Sequence, residues 1–293
     1  MSWILFSVLA ALIWAIKGIL DKFMLANYIK KPIVPVLILG VFDLAAIALI
    51  FLINGFDPLS LQNLALALVG GLASLMIIIL YFKAVQIEEI SRVIALIYLT
   101  PLFVTVLAAV FLGEVFTWDK YAGILLLIAG AVLVSYKLGK ITFGKAFWYL
   151  LLASLFFGIY AIITKYLLGF ADFWSVFSYT RLSMIICMLP IFFFRYKDLL
   201  ETLRERGKMA VFSASSSEAL NLIALLLFTA AASAGFITLV EALTAVEPFF
   251  VLLFTVILSM FYPRILKEET GKKIVAIKLL AIILIFSGTI LVI

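Results

Sequence analysis

Long apolar runs separated by short polar stretches recur from one end of the chain to the other. A helix needs about 20 apolar residues to cross about 30 Å of hydrocarbon. On that measure the runs at 3–25, 33–53, 64–86, 92–112, 120–136, 146–168, 174–194, 211–232, 235–260 and 272–293 predict ten membrane-spanning helices. The connections are short, so nothing large is expected outside the bilayer. The longest polar stretch, Arg195 to Lys208, reads as a short amphipathic surface helix. The first run is apolar like a signal peptide. It lacks a basic n-region, however, and continues past Lys17 to Met24, so it reads as the first span.

Composition agrees with this pattern. Of 293 residues, 67% are hydrophobic and 13% are charged. A soluble domain would have to leave much of that apolar surface in water, which is unfavourable and promotes aggregation. The absence of His removes His-ligated metal sites and Ser-His-Asp triads. The single Cys187 removes internal disulfides and CxxC chemistry. No cofactor is expected, and no GxxxxGK[ST] motif is present to bind ATP. The net charge of +6 does not call for nucleic acid. Lys and Arg crowd the odd-numbered connections, from Lys22, Lys30 and Lys31 to Lys272 and Lys273, while the even-numbered ones hold Lys120 and Lys165. The positive-inside rule places the odd connections in the cytoplasm, and ten spans then leave both termini outside.

The chain also compares well with itself. LIWAIKGILDKFML from Leu12 lies over LFFGIYAIITKYLL from Leu155, placing Lys22 on Lys165 and Trp14 on Phe157. YLTPLF from Tyr98 lies over AVEPFF from Ala245, placing Pro101 on Pro248. LLLIAGAVLVS from Leu125 lies over ILIFSGTILVI from Ile283, placing Gly130 on Gly288. These matches divide the chain into a first repeat, 1–140, and a second, 141–293. Five spans each is an odd number, so the repeats must sit inverted with respect to each other. The expected fold is therefore all-α and membrane-integral, with ten helices in two inverted five-helix repeats. Inverted repeats are a feature of transporters, which exchange two conformations around one site near the midplane.

The stretch PLFVTVLAAVFLGEVFTWDKYAGILLLIAGAVLV (Pro101 to Val134), with Trp14 in LIWAIKGIL and Lys22 closing the first span, resembles the drug/metabolite transporter superfamily, EamA type. The resemblance covers the whole chain and is most specific around Gly113-Glu114. It implies a carrier of amino acids, other small metabolites or drugs, often an exporter, with a cavity between two halves. Small multidrug members carry a Glu in the first span near the position that Trp14 occupies here. A Gly-Glu is also missing after the ninth span, which reads SMFYPRILKEE (Ser259 to Glu269).

A charge in the bilayer core costs from about 3 to more than 10 kcal/mol, so each one needs a partner, water or a role. The candidates are Lys17, Asp43, Arg181, Glu218, Glu241, Glu247 and Lys278. Depth follows from the helical rise of about 1.5 Å per residue. Arg181 matches Glu241 in depth, and Lys17 matches Glu218, so each is expected either to form an ion pair or to line a cavity. Lys17 also has Asp21 one turn away. Lining the cavity, a cation would hold a substrate carboxylate and a Glu an amine. Asp43 and Glu247, near mid-membrane without an evident cation, are the proton-coupling candidates. Lys278 can snorkel to the cytoplasmic face. Pro101 and Pro248 each remove the bond to a carbonyl four residues back, those of Ile97 and Thr244, and read as symmetric hinges. Trp14, Tyr98, Phe157 and Tyr160 are candidates for the cavity wall, as are Glu218 within SASSSEA and Thr244 in the ninth span. The expected function is secondary-active export of amino acids or similar metabolites, not enzymatic catalysis. The expected partners are the substrate, the bilayer and protons as the coupling ion; the sequence leaves the oligomeric state open and is compatible with a monomer. The alternative is a lipid-linked carrier flippase, with Arg195–Lys208 attracting lipid phosphates.

Overall fold

The structure is a computed structural model. It describes residues 2–112, 117–134, 136–137, 140–141, 143–235, 240, 243–261 and 271–292. The helices are α1 (Ser2–Asn27), α2 (Ile33–Asn54), α3 (Leu61–Ile87), α4 (Ile90–Ile97), α5 (Thr100–Leu112), α6 (Trp118–Val134), α7 (Lys145–Leu167), α8 (Phe173–Ala234), α9 (Glu247–Phe261) and α10 (Lys272–Val292). A two-residue hairpin, Tyr136–Lys137 against Lys140–Ile141, lies between α6 and α7 and is not anticipated by the sequence pattern. Among the described residues, six helices are long and apolar enough to cross a membrane.

Two elements depart from the expected layout. The seventh and eighth runs and the polar stretch between them form one 62-residue helix, α8. At about 1.5 Å per residue it would reach about 90 Å if straight, three times the hydrocarbon thickness. It is not straight. Gly207 stands at φ 56° and ψ −143°, a left-handed backbone that favours glycine, and breaks the run. The stretch from Arg195 is thus a continuation of the seventh span, because its Leu, Glu, Lys and Arg residues are good helix formers and nothing stops the helix before Gly207. The fourth run is divided instead of extended: α4 stops at Ile97, Tyr98 and Leu99 turn, and α5 begins at Thr100.

Helix pairs form between corresponding parts of the two sequence repeats. α3 packs on α7, and α8 after Gly207 packs on α1; α5 packs on α7, and α9 on α1. Two details have the same reciprocity. Lys22 donates to the carbonyls of Val85 and Glu88, at 2.7 and 2.6 Å, at the C-terminal end of α3. Its aligned residue Lys165 donates to the carbonyls of Ala232 and Gly235, at 3.2 and 3.1 Å, at the end of α8. Both acceptors lie 147 residues after their counterparts. In each case the ammonium answers helix-end carbonyls that have no intrahelical donor.

The α6–α10 seam is reciprocal in the same way. A Cβ on Gly130 would stand 2.6 Å from Ile285 Cγ1 and 3.0 Å from the Ala281 carbonyl oxygen. A Cβ on Gly288 would stand 2.7 Å from the Gly123 carbonyl oxygen and 2.8 Å from Leu127 N. Gly123 aligns with Ala281 and Leu127 with Ile285, so each glycine meets the counterparts of the residues its own counterpart meets. Only a residue without a side chain allows so close an approach.

Candidate functional site

A cavity of about 940 Å³, counted out to its mouth, lies between the helices of the two sequence halves. α1 contributes Trp14 and Lys17, one turn apart; α3 contributes Ser74, Ile77, Ile78 and Tyr81, which share a helical face. Tyr98 comes from the α4–α5 break, Phe157 and Tyr160 from α7, and Arg181 from α8 before Gly207. α8 after Gly207 adds Glu218, Asn221 and Leu225, and Thr244 and Glu247 complete the wall. An apolar lining with a few converging polar groups is the usual character of a small-molecule site.

Trp14, Lys17, Tyr98, Arg181, Glu218, Thr244 and Glu247 therefore share one cavity. Glu241 and Glu114 lie outside the described residues. Asp43 is fully buried and does not line the cavity.

The ion pairs differ from those matched by depth. Lys17 Nζ lies 2.6 Å from Asp21 Oδ2, four residues on in α1, and not on Glu218. Asp21 also accepts from Tyr81 Oη at 2.8 Å and from Ser217 Oγ, which joins α1, α3 and α8. The Lys17 ammonium stands 4.6 Å from the centre of the Tyr81 ring, a cation–π distance. Arg181 pairs with Asp43 at 3.4 Å and donates to Ser74 Oγ at 2.6 Å. Asp43 thus has a cation, contrary to the premise of a free mid-membrane carboxylate. Depth locates a residue along the membrane normal; the face that a helix turns to its neighbour selects the partner, and α2 turns this face to α8.

Three polar atoms in and behind the cavity are buried without a hydrogen-bond partner: Glu218 Oε1, Arg181 Nε and Asp43 Oδ1. Glu218 is 1% exposed and Arg181 2%. Glu247 Oε2 accepts a hydrogen bond of 2.7 Å from Tyr98 Oη.

Pro101 and Pro248 are not inside continuous helices. Each is the second residue of its helix, α5 or α9, directly after a turn. Proline suits the first turn because no intrahelical N–H bond is lost there. The Ile97 carbonyl, expected to be free, accepts from Thr100 Oγ1 at 2.8 Å and from Ser154 Oγ at 2.9 Å. Lys278 does not snorkel. It is buried against Glu89 Oε2 at 2.8 Å, the same oxygen that Arg92 Nε reaches at 2.8 Å, while Arg92 Nη1 donates to the Val134 carbonyl at 2.6 Å.

Sequence reasoning missed Tyr81 and Asn221 as part of the site, whereas Asp21 entered as a possible partner of Lys17 and Ser217 within SASSSEA. The i,i+4 spacing of Lys17 and Asp21 is the one local signal. The aromatic wall is clearer: Phe228 lies 5.7 Å from Trp14 and 6.0 Å from Phe157, bridging two aligned residues.

These features define a multi-pass membrane protein with an internal cavity made by both halves of its chain. Residues 1–136 match the model of the EamA-like transporter family. The first part of the chain is thus similar to an EamA-like transporter unit. Over 96 residues it is 34% identical to a probable terminal-alkyne amino-acid exporter of Streptantibioticus cattleyicolor. That match spans 33% of this chain and 32% of the relative, about a third of the relative's length. A solved crystal structure with 15% identity shares the fold at a TM-score of 0.64, over 100% of this chain and 97% of its own.

Proposed function

We propose that the protein is a secondary transporter that exports amino acids or similar small metabolites across the cell membrane by alternating access. One observation carries this reading. The cavity offers an acceptor without a donor, Glu218 Oε1, and a donor without an acceptor, Arg181 Nε. An α-amino acid supplies an ammonium to the first and a carboxylate to the second. Buried polar atoms left unpaired are costly, so a ligand that satisfies both is favoured. The Streptantibioticus cattleyicolor relative, named a probable amino-acid exporter, supports both substrate class and direction.

In this reading residues 1–140 and 141–293 are inverted five-span repeats, giving ten spans in all. The reciprocal Lys22 and Lys165 contacts and the reciprocal α6–α10 glycines favour it. Odd-numbered connections face the cytoplasm and both termini face outward. Trp14, Lys17, Tyr98 and Thr244 complete the substrate contacts, and the breaks before Pro101 and Pro248 serve as hinges. Glu247 carries a coupling proton when no substrate is bound, and Asp43 acts by holding Arg181. The lipid-carrier alternative draws on Arg195–Lys208, where Arg195 already stands 3.4 Å from Asp198.

Counterflow in proteoliposomes tests the proposal. Vesicles loaded with unlabelled amino acids should accumulate labelled ones saturably, and Glu218→Gln should abolish this. Folded protein that exchanges none of a broad amino-acid panel would overturn the reading and favour the lipid carrier.

A further inference from the structure

Among the described residues, four carboxylates and two cations lie buried in the cavity wall or directly behind it. Asp21, Asp43, Glu218 and Glu247 stand against Lys17 and Arg181. Lys17 is taken by Asp21, and Arg181 stands beside Asp43. No ion pair among the described residues holds Glu218 or Glu247. Both line the cavity, at 1% and 5% exposure. Glu218 Oε1 has no partner, and Glu247 Oε2 accepts from the neutral Tyr98 hydroxyl. Each of these two glutamates therefore lacks a cationic partner among the described residues.

A neutral amino acid has one ammonium and would leave one of the two glutamates without a cation. We infer that the substrate carries a second cationic amine: it is a diamino monocarboxylic acid, with its carboxylate on Arg181, one ammonium on Glu218 and the other on Glu247. This inference rests on the amino-acid reading above and narrows it to a class. A side-chain amine of this kind is cationic at neutral pH, its ordinary pKa being about 10.4. Charge-assisted hydrogen bonds gain strength where water is excluded. The rings of Trp14, Phe157 and Tyr160 line the same space and present faces suited to an ammonium. Lys17 makes its ion pair with Asp21 and sits over Tyr81, and it forms none with either glutamate.

L-lysine and L-norleucine separate this class from its neutral counterpart, since they share a carbon chain and differ in the terminal ammonium. Proteoliposomes are loaded with an unlabelled amino-acid mixture, and the initial entry of each labelled compound is measured at equal sub-saturating concentration. The wild-type protein should favour lysine by about tenfold or more, as expected for one added hydrogen bond to a charged group. Glu247→Gln should collapse that ratio to within about threefold, and Glu247→Asp, which keeps the charge, should retain most of it. Norleucine entering as fast as lysine would overturn the diamino class and leave the amino-acid carrier standing; protons would then neutralise the glutamates. Exchange of neither compound or of any amino acid in the mixture would overturn both. A lysine preference unchanged in folded Glu247→Gln would overturn the placement on Glu247. If Glu247→Gln does not fold, the wild-type ratio still decides the class, and thermal stabilisation by lysine but not norleucine checks it without transport.

Discussion

The hydroxyl of Tyr98 donates a 2.7 Å hydrogen bond to Glu247, and this bond ties the turn between α4 and α5 to the first turn of α9. The two segments align with each other in sequence, Tyr98 to Phe103 lying over Ala245 to Phe250. Thr100-Pro101 opens one helix and Glu247-Pro248 the other, so a hydroxyl from one break addresses the carboxylate at the other.

Removing that hydroxyl should loosen the contact while leaving the ring in place. Tyr98→Phe is expected to lose about 1.5–3 kcal/mol from a buried, charge-assisted hydrogen bond. The loss should appear as a lower melting temperature in detergent and as slower counterflow. Unchanged values for both would show that Glu247 finds an equivalent donor.

The Asp43–Arg181 pair is buried on both sides, with side chains 0% and 3% exposed. Asp43→Ala should be destabilising by about 3–5 kcal/mol, because it leaves a guanidinium without its counter-charge. Asp43→Ala combined with Arg181→Met should recover much of that stability and still lack transport. Melting curves of the two variants decide the point: equal losses would mean that the pair is not coupled.

A side chain at Gly71 would press on the backbone between Ser183 and Met184 of α8. Gly71→Ala is expected to cost about 1–3 kcal/mol through overpacking, and Gly71→Val more. Gly144, with open space around its Cβ position, is the matched control, and Gly144→Ala should leave the melting temperature nearly unchanged.

Asp172 caps the start of α8, accepting from Ser175 N at 2.8 Å and Ser175 Oγ at 3.1 Å. Burial pushes its carboxyl up, but these hydrogen bonds prevail and hold it below its ordinary value of 3.8. A carboxyl lowered in the folded state adds stability above its unfolded value and loses it as pH falls through the folded one. Asp172→Ala should therefore cost about 0.5–2 kcal/mol at pH 7. The gap from wild type should narrow as pH drops below 3.8. A gap that does not change with pH would remove the charge from the explanation.

Apolar run length located most helices to within a few residues, because the bilayer imposes one length on every span. α1, α2, α3, α7 and α10 follow the runs closely. The pattern failed where another force acts. Hydropathy does not register the turn at Tyr98 and Leu99, since both residues are as apolar as the helices around them. It also stopped the seventh helix at Arg195, although helix propensity carries it on to Gly207. In the site, depth brought Arg181, Glu218 and Glu247 to notice, whereas partner choice depends on the rotation of each helix about its axis. That rotation is set by packing, so Asp21 and Asp43 replaced the expected partners of Lys17 and Arg181.

The reciprocal glycine seam of α6 and α10 has an energetic consequence. In a carrier whose two halves trade places, a contact that maps onto itself adds the same free energy to both arrangements, and its contribution cancels from their difference. Under the proposed alternating access, Gly130 and Gly288 would govern how tightly the halves cohere, without favouring either state. The balance falls to residues without a mirror image. Glu89 and Arg92 are of that kind, since Phe236 and Leu239 stand at the positions 147 residues further on. Substitutions at the seam should therefore alter the lifetime of the whole assembly, and those around Glu89 the time it spends facing each side.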